Sequence, residues 1–121
     1  MSQKYGVKME YYFHAGESLE STNTNLLDAV MLQTRRIGHG FDLFILPKLI
    51  PTIRKRNIAI ESCPFSNQIL GYIKDLRSHP ARMFIRMDLP VTITSDDPAL
   101  YGYNGFTLDF TAITIAWELS L

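Results

Sequence analysis

The stretch PVTITSDDP (residues 90–98) joins a run rich in β-branched residues to two adjacent carboxylates. Valine, isoleucine and threonine favour strands, so Pro90–Thr94 predicts a short strand. Asp96 and Asp97 come directly after it, and the Asp-Pro pair commonly begins a turn. The stretch therefore predicts a strand that carries acidic side chains at its carboxyl end.

Three earlier segments repeat this arrangement of a strand followed by polar side chains. Met9–Phe13 is apolar and aromatic and predicts a strand that ends at His14. Arg36–Gly40 predicts a short strand bounded by glycine, and it contains His39. Ile58–Ser62 predicts the clearest strand of the chain, and Pro64 stops it.

Four segments of the chain predict helices, either from apolar residues at helical spacing or from a proline at the first helical position. The last helix should turn Phe110, Ile113, Ala116 and Trp117 toward a core. Alternating strands and helices with short connections predict a parallel sheet and an α/β fold. The four helices are predicted at Asn23–Gln33, Leu43–Arg56, Pro80–Met87 and Leu108–Leu119.

Two α/β architectures compete, an open doubly wound sheet and a TIM (β/α)₈ barrel. His14, His39, Ser62 and Asp96 lie at or just past four strand ends, which is where barrel enzymes build their sites. No GxGxxG motif is present to support a doubly wound fold. A complete barrel needs about 250 residues and eight strands. We therefore expect residues 1–121 to form one domain, half of a barrel, whose open sheet edges make it poorly soluble alone.

Charge and hydropathy narrow the classes of partner. The 121 residues carry 12 basic and 12 acidic side chains, so the chain has no net charge that would attract nucleic acid or an anionic membrane. The apolar runs are too short to span a bilayer, and no signal peptide is visible. Cys63 is the only cysteine, which excludes an internal disulfide. We expect it to be a small residue in or beside a core strand.

Five titratable residues near the strand ends could carry chemistry: His14, Glu17, His39, Asp96 and Asp97. A simpler structural explanation exists for each, since a strand-end histidine can be structural and an aspartate before proline can begin a turn. Together they combine zinc ligands with acid–base groups, but they are too few for a closed structural metal site. They indicate a metal-assisted hydrolase with some of its ligands elsewhere.

Three motifs, in this order, resemble the adenosine deaminase family of metal-dependent barrel hydrolases: HAGE (14–17), GHG (38–40) and SDDP (95–98). The segments ESCPFSNQILG (61–71) and KDLRSHP (74–80) are similar to the adenosine deaminase-related growth factor branch, which includes the extracellular type of the enzyme. The resemblance runs through nearly the whole chain. It implies that these residues correspond to strands 5 to 8 of the barrel.

The resemblance implies a reaction in which adenosine or deoxyadenosine and water give inosine or deoxyinosine and ammonia. It implies one Zn²⁺ per complete site, with His14 and Asp96 as two of its ligands. It also implies an extracellular protein whose full-length relatives are homodimers. These properties are expectations that come from the family.

The resemblance also implies roles for the remaining polar residues. Glu17 matches the acid that protonates the purine ring nitrogen, and burial of its carboxyl is expected. His39 matches the histidine that holds and deprotonates the attacking water. Asp97 matches the carboxylate that binds the purine and orients the water. Gly16, Glu17 and Asp97 would contact the substrate.

One family feature is missing from this sequence. The family's first strand carries a His-x-His pair that completes the zinc site, and the sequence has only His14, His39 and His79. His79 is expected to be structural at the start of a helix. We therefore expect the chain alone to be inactive or nearly so. Two alternatives stay open: a non-catalytic truncated paralogue or growth-factor-like binding protein, and a deaminase of AMP or adenine.

Overall fold

The computed structural model describes residues 5–119, in which four short strands form one parallel sheet. The order of strands in the sheet is their order along the chain. The register pairs Phe13 with Ile37 and Ile60 with Val91. Parallel neighbours in chain order confirm the predicted α/β half-barrel arrangement. The strands are β1 (Tyr12–Ala15), β2 (Arg36–His39), β3 (Ala59–Ser62) and β4 (Val91–Ile93).

Helical segments occupy the connections between strands. Within residues 5–119 no helix is long and apolar enough to cross a membrane. The α-helices are α1 (Asn25–Met31), α2 (Ile50–Arg56), α3 (Pro64–Ile69), α4 (Ala81–Arg86), α5 (Pro98–Tyr101) and α6 (Thr107–Trp117), and shorter 3₁₀ turns span Phe41–Ile45, Pro47–Leu49 and Leu76–Ser78.

The hydrophobic core lies between the sheet and these helices. Ile37 of β2 and Ile60 of β3 are fully buried, and they share one cluster with Leu26 of α1, Phe84 of α4 and Trp117 of α6. Burial of each such side chain stabilises the fold by about 1.5–3 kcal/mol. The core therefore fixes the strands from their helical side, while their carboxyl ends remain available for polar residues.

The first strand lies further along the chain than the sequence predicts. It spans Tyr12–Ala15 instead of Met9–Phe13, because β2 begins at Arg36 and its ladder starts opposite Tyr12. As a consequence His14 does not follow the strand but lies within it, paired with Gly38.

The segment Leu43–Arg56, predicted as one helix, is divided into 3₁₀ turns followed by α2. Leu46 separates the turns with a φ of −119°, which is not helical. A residue before proline is disfavoured in the α conformation, and Pro47 has no N–H to donate. Only the second half of this prediction is confirmed as α-helix.

Two short helices were not predicted from the sequence. α3 begins at Pro64 and α5 begins at Pro98, and in each the proline occupies the first turn, where its missing N–H has no intrahelical partner to lose. In α6, Ile113 and Trp117 are buried as predicted. The predicted burial of Phe110 is wrong: it is 45% exposed and stacks on Phe106 one turn earlier.

Both edges of the described sheet are open. β1 pairs with β2 on one side and β4 pairs with β3 on one side. Exposed aromatic side chains lie near both edges: Tyr12 on β1 is 57% exposed, and Phe106 after β4 is 60% exposed. Unpaired strand edges invite further strand pairing. The two edges agree with a sheet that continues in a complete barrel.

Candidate active site

The two strand-end histidines lie side by side at the carboxyl edge of the sheet. Their ring centroids are 5.3 Å apart. His39 is buried, and its backbone has a positive φ of 69°. His14 is exposed. Gly38 makes this approach possible, because a Cβ at that position would lie 3.1 Å from the ring of His14.

The turn after β1 brings a carboxylate to the same place. Gly16 has a φ of 68°, and its N–H donates to Asn25 Oδ1 at 2.9 Å. After this turn, Glu17 Oε2 lies 3.7 Å from His39 Nε2. The Glu17 side chain is 43% exposed, so its expected burial is not seen in this chain. The two proposed proton-transfer groups therefore face each other across an open edge.

The paired aspartates after β4 have different surroundings. Asp96 is half-buried with a φ of 59°, and the Tyr101 hydroxyl donates to its Oδ2 at 3.4 Å. Asp97 is exposed and precedes α5, whose N-terminus it does not cap with its side chain. This difference supports separate roles, since one carboxylate points into the site and the other lies at its rim.

One group of potential metal ligands is present within residues 5–119. A ring nitrogen of His39, the sulfur of Cys63 and a carboxylate oxygen of Asp96 all lie within 4.8 Å of one another. Imidazole, thiolate and carboxylate are the ligand types that zinc prefers, so the donor set fits this metal. His14, the second ligand implied by the resemblance, is outside this group and contacts it through the His39 ring.

Cys63 is the member of this group that sequence reasoning placed only in or beside the core. It is buried and directly follows β3, which agrees with that expectation. Burial raises the pKa of its thiol, and the nearby charges of Asp96, Glu17 and Glu61 raise it further. Its position could have indicated a role in the site, because it follows the end of a predicted strand, as Asp96 and Asp97 do.

Asp42 is a second residue near the site that sequence reasoning missed. It is buried, its N–H donates to the Gly16 carbonyl, and its Oδ1 has no hydrogen-bond partner among the described residues. Burial raises its pKa to about 6. A Cβ on Gly16 would lie 2.1 Å from Asp42 Oδ1, so glycine is required for this contact. No sequence motif marks Asp42, because its partner lies 26 positions away.

His79 is structural, as predicted. Its Nδ1 accepts from the Ala81 N–H at 3.1 Å, and its Nε2 therefore donates to Asn67 Oδ1 at 2.9 Å. Its ring also contacts Phe41 and Trp117. Burial lowers its pKa to about 4, so it stays neutral.

Four parallel βα units with polar side chains at the carboxyl edge define half of a TIM barrel. Solved structures agree. An adenine deaminase from Arthrobacter aurescens matches 98% of this chain and 35% of that chain, with a TM-score of 0.82 and 25% identity. The N6-methyl-AMP deaminase of Arabidopsis thaliana shares the fold over 92% of this chain and 32% of that chain, with a TM-score of 0.74 and 19% identity.

Sequence relatives then identify the family. The family model described as adenosine deaminase matches residues 4–112. Adenosine deaminase 2 of Dictyostelium discoideum is 47% identical over the whole chain, which covers 22% of that protein. Human adenosine deaminase 2 is 47% identical over 88% of the chain, again 22% of that protein. The chain belongs to the adenosine deaminase family and spans about a fifth of the length of these relatives.

Proposed function

We propose that residues 1–121 form the carboxyl-terminal half of an adenosine deaminase catalytic domain, strands 5 to 8. The complete barrel converts adenosine or deoxyadenosine to inosine or deoxyinosine and ammonia. The observation that carries the proposal is the convergence of His14, Glu17, His39 and Asp96 at one sheet edge, in a chain of this family.

In this proposal His14 and Asp96 hold Zn²⁺ together with ligands from the rest of the barrel. When bound, the metal lowers the pKa of a coordinated water toward neutrality. Tyr101 donates to Asp96 Oδ2, which helps to fix the position of the carboxylate. Gly38 leaves room for the His14 ring.

The remaining residues handle protons and the purine. His39, buried and with Nδ1 unpartnered among the described residues, takes a proton from the attacking water. Glu17, 3.7 Å from His39, gives a proton to the purine ring nitrogen. Asp97 binds the purine from the exposed rim of the site. Gly16 lines the pocket with its Cα, since its N–H and carbonyl are engaged with Asn25 and Asp42.

A chimera tests this function. The matched segment of the Dictyostelium relative is replaced by this chain, and deamination is followed by the loss of adenosine absorbance. We expect zinc-dependent turnover of adenosine and deoxyadenosine. Glu17→Gln should lower it by about 10²-fold or more, because general acid catalysis contributes that much. Glu20→Gln, an exposed glutamate in the same loop, is the matched control and should leave turnover unchanged.

The same chimera separates the alternatives. Preferential turnover of adenine or AMP would replace adenosine as the substrate; adenine is a specific candidate because the Arthrobacter structure is named an adenine deaminase. A folded chimera that contains zinc but deaminates none of these compounds would support a non-catalytic paralogue or growth-factor-like binding protein.

We further propose that the complete protein is extracellular and homodimeric. The support is the 47% identity to proteins named adenosine deaminase 2, together with the growth-factor-like motifs. Neither a nucleic acid nor a membrane is proposed as a partner. Immunodetection in the medium of the source cells, and not in their lysate, is the expected result for localisation.

A further inference from the structure

The group formed by His39, Cys63 and Asp96 differs from the ligand set of the proposed function. It shares Asp96 with that set, uses no residue from outside this chain, and does not include His14. The three residues come from the carboxyl ends of β2, β3 and β4, which are adjacent in the sheet. One short chain thus holds three ligands of different chemistry in one place.

The geometry suits a tetrahedral ion. Ligand atoms on one zinc ion lie roughly 3.3–3.6 Å apart, given Zn–N and Zn–S bonds of about 2.0–2.3 Å. The three atoms here lie within 4.8 Å of one another, so an approach of roughly 1 Å would bring them to the zinc-site spacing. The His39 side chain is 3% exposed, and its Nδ1 has no hydrogen-bond partner among residues 5–119. A buried, unpartnered ring nitrogen favours a ligand.

We propose that this chain alone binds one soft divalent cation, of the class of Zn²⁺ or Co²⁺, through His39, Cys63 and Asp96. Water fills the fourth position. Binding displaces the thiol proton of Cys63 into solvent, so one S–H bond is exchanged for one metal–sulfur bond. The inference concerns the isolated chain and does not rest on the proposed function.

Cobalt titration of the reduced 121-residue chain tests this inference. Cys63 is the only cysteine, so a near-ultraviolet thiolate-to-cobalt charge-transfer band reports this residue directly. We expect the band to saturate at one Co²⁺ per chain, with protons released on binding. Cys63→Ser should abolish the band. His39→Gln and Asp96→Asn should each weaken affinity by more than about 100-fold, beyond the loss typical of a supporting residue.

Glu20→Gln is the control, since Glu20 is exposed and lies outside the group. It should keep the band and the affinity. A folded wild-type chain that shows no charge-transfer band at saturating Co²⁺ would overturn the inference, as would a band that depends on His14 and not on His39. Neither result touches the proposed function, which the activity of the chimera decides separately.

Discussion

Two buried histidines of this chain have opposite environments. His79 has partners for both ring nitrogens, Asn67 on one side and the Ala81 N–H on the other. His39 has none for Nδ1 among the described residues, and its Nε2 faces Glu17 at 3.7 Å. Most buried polar groups in folded proteins have a hydrogen-bond partner. The comparison indicates that both ring nitrogens of His79 are satisfied within the described residues, whereas His39 has a ring nitrogen available to another group.

The largest expected effect concerns the activity that depends on His39. In the chimera, His39→Gln should lower adenosine turnover by about 10²–10⁴-fold, because the water loses its general base. Its unfolding free energy in urea should fall less than that of His79→Gln, since ring packing is lost but no hydrogen bond of the ring nitrogens is lost among the described residues. A large loss of stability with activity retained per folded molecule would give His39 the role assigned to His79.

The reciprocal expectation concerns stability at His79. In the 121-residue chain, His79→Gln should lower the unfolding free energy by about 2–4 kcal/mol, because it leaves buried partners unsatisfied and removes ring packing. Urea denaturation followed by circular dichroism measures this loss. The matched control is His14→Gln, in which the substituted histidine is exposed; it should stay within about 0.5 kcal/mol of the wild type.

The pH dependence of stability sharpens the same comparison. Burial lowers the pKa of His79 from its usual value near 6.5 to about 4 in the folded chain. Between pH 6.5 and pH 4, His79 is therefore protonated in the unfolded chain but neutral in the folded chain. Stability from the neutral ring is therefore full above pH 6.5 and declines as the pH falls toward 4. The difference in unfolding free energy between wild type and His79→Gln should shrink by about 3 kcal/mol over this range. A difference independent of pH would contradict a buried neutral ring.

Asp42 gives the smallest effect and the opposite sign. Its pKa is raised to about 6, so the folded chain keeps a proton that the unfolded chain loses, and stability falls as the pH rises from about 4 to 6. Asp42→Asn keeps the shape without the charge. It should stabilise the chain by about 1–3 kcal/mol at pH 8 and by less at pH 4, measured by urea denaturation. Equal effects at both pH values would show that burial of the charge is not the cause.

The sequence predicted the parts of the fold that local patterns determine. β3 and β4 lie within one residue of their predicted bounds, because the β-branched residues there favour strands. β1 was misplaced, since its bounds depend on where β2 begins. The predicted helix Leu43–Arg56 is interrupted because Pro47 disfavours the helical conformation at Leu46, despite the helical spacing of apolar residues in this segment.

The site was predictable to the extent that strand ends meet at one edge of a parallel sheet. The proximity of His14 and His39 follows from the pairing of their strands. The contact of Asp42 with Gly16 joins two turns that are distant in sequence. Cys63 was interpreted as a core residue because free cysteines are usually buried. Contacts of this kind are set by tertiary structure, which local patterns do not encode.

The central claim is that this chain is half of a deaminase barrel, and fragment complementation tests it most directly. The chain is titrated with the part of the Dictyostelium relative that precedes the matched segment, with Zn²⁺ present, and adenosine loss is measured. We expect neither part alone to turn over adenosine, and activity that rises with added partner and saturates at one to one. Turnover by the 121 residues alone, or a one-to-one complex that binds zinc and stays inactive, would contradict the account.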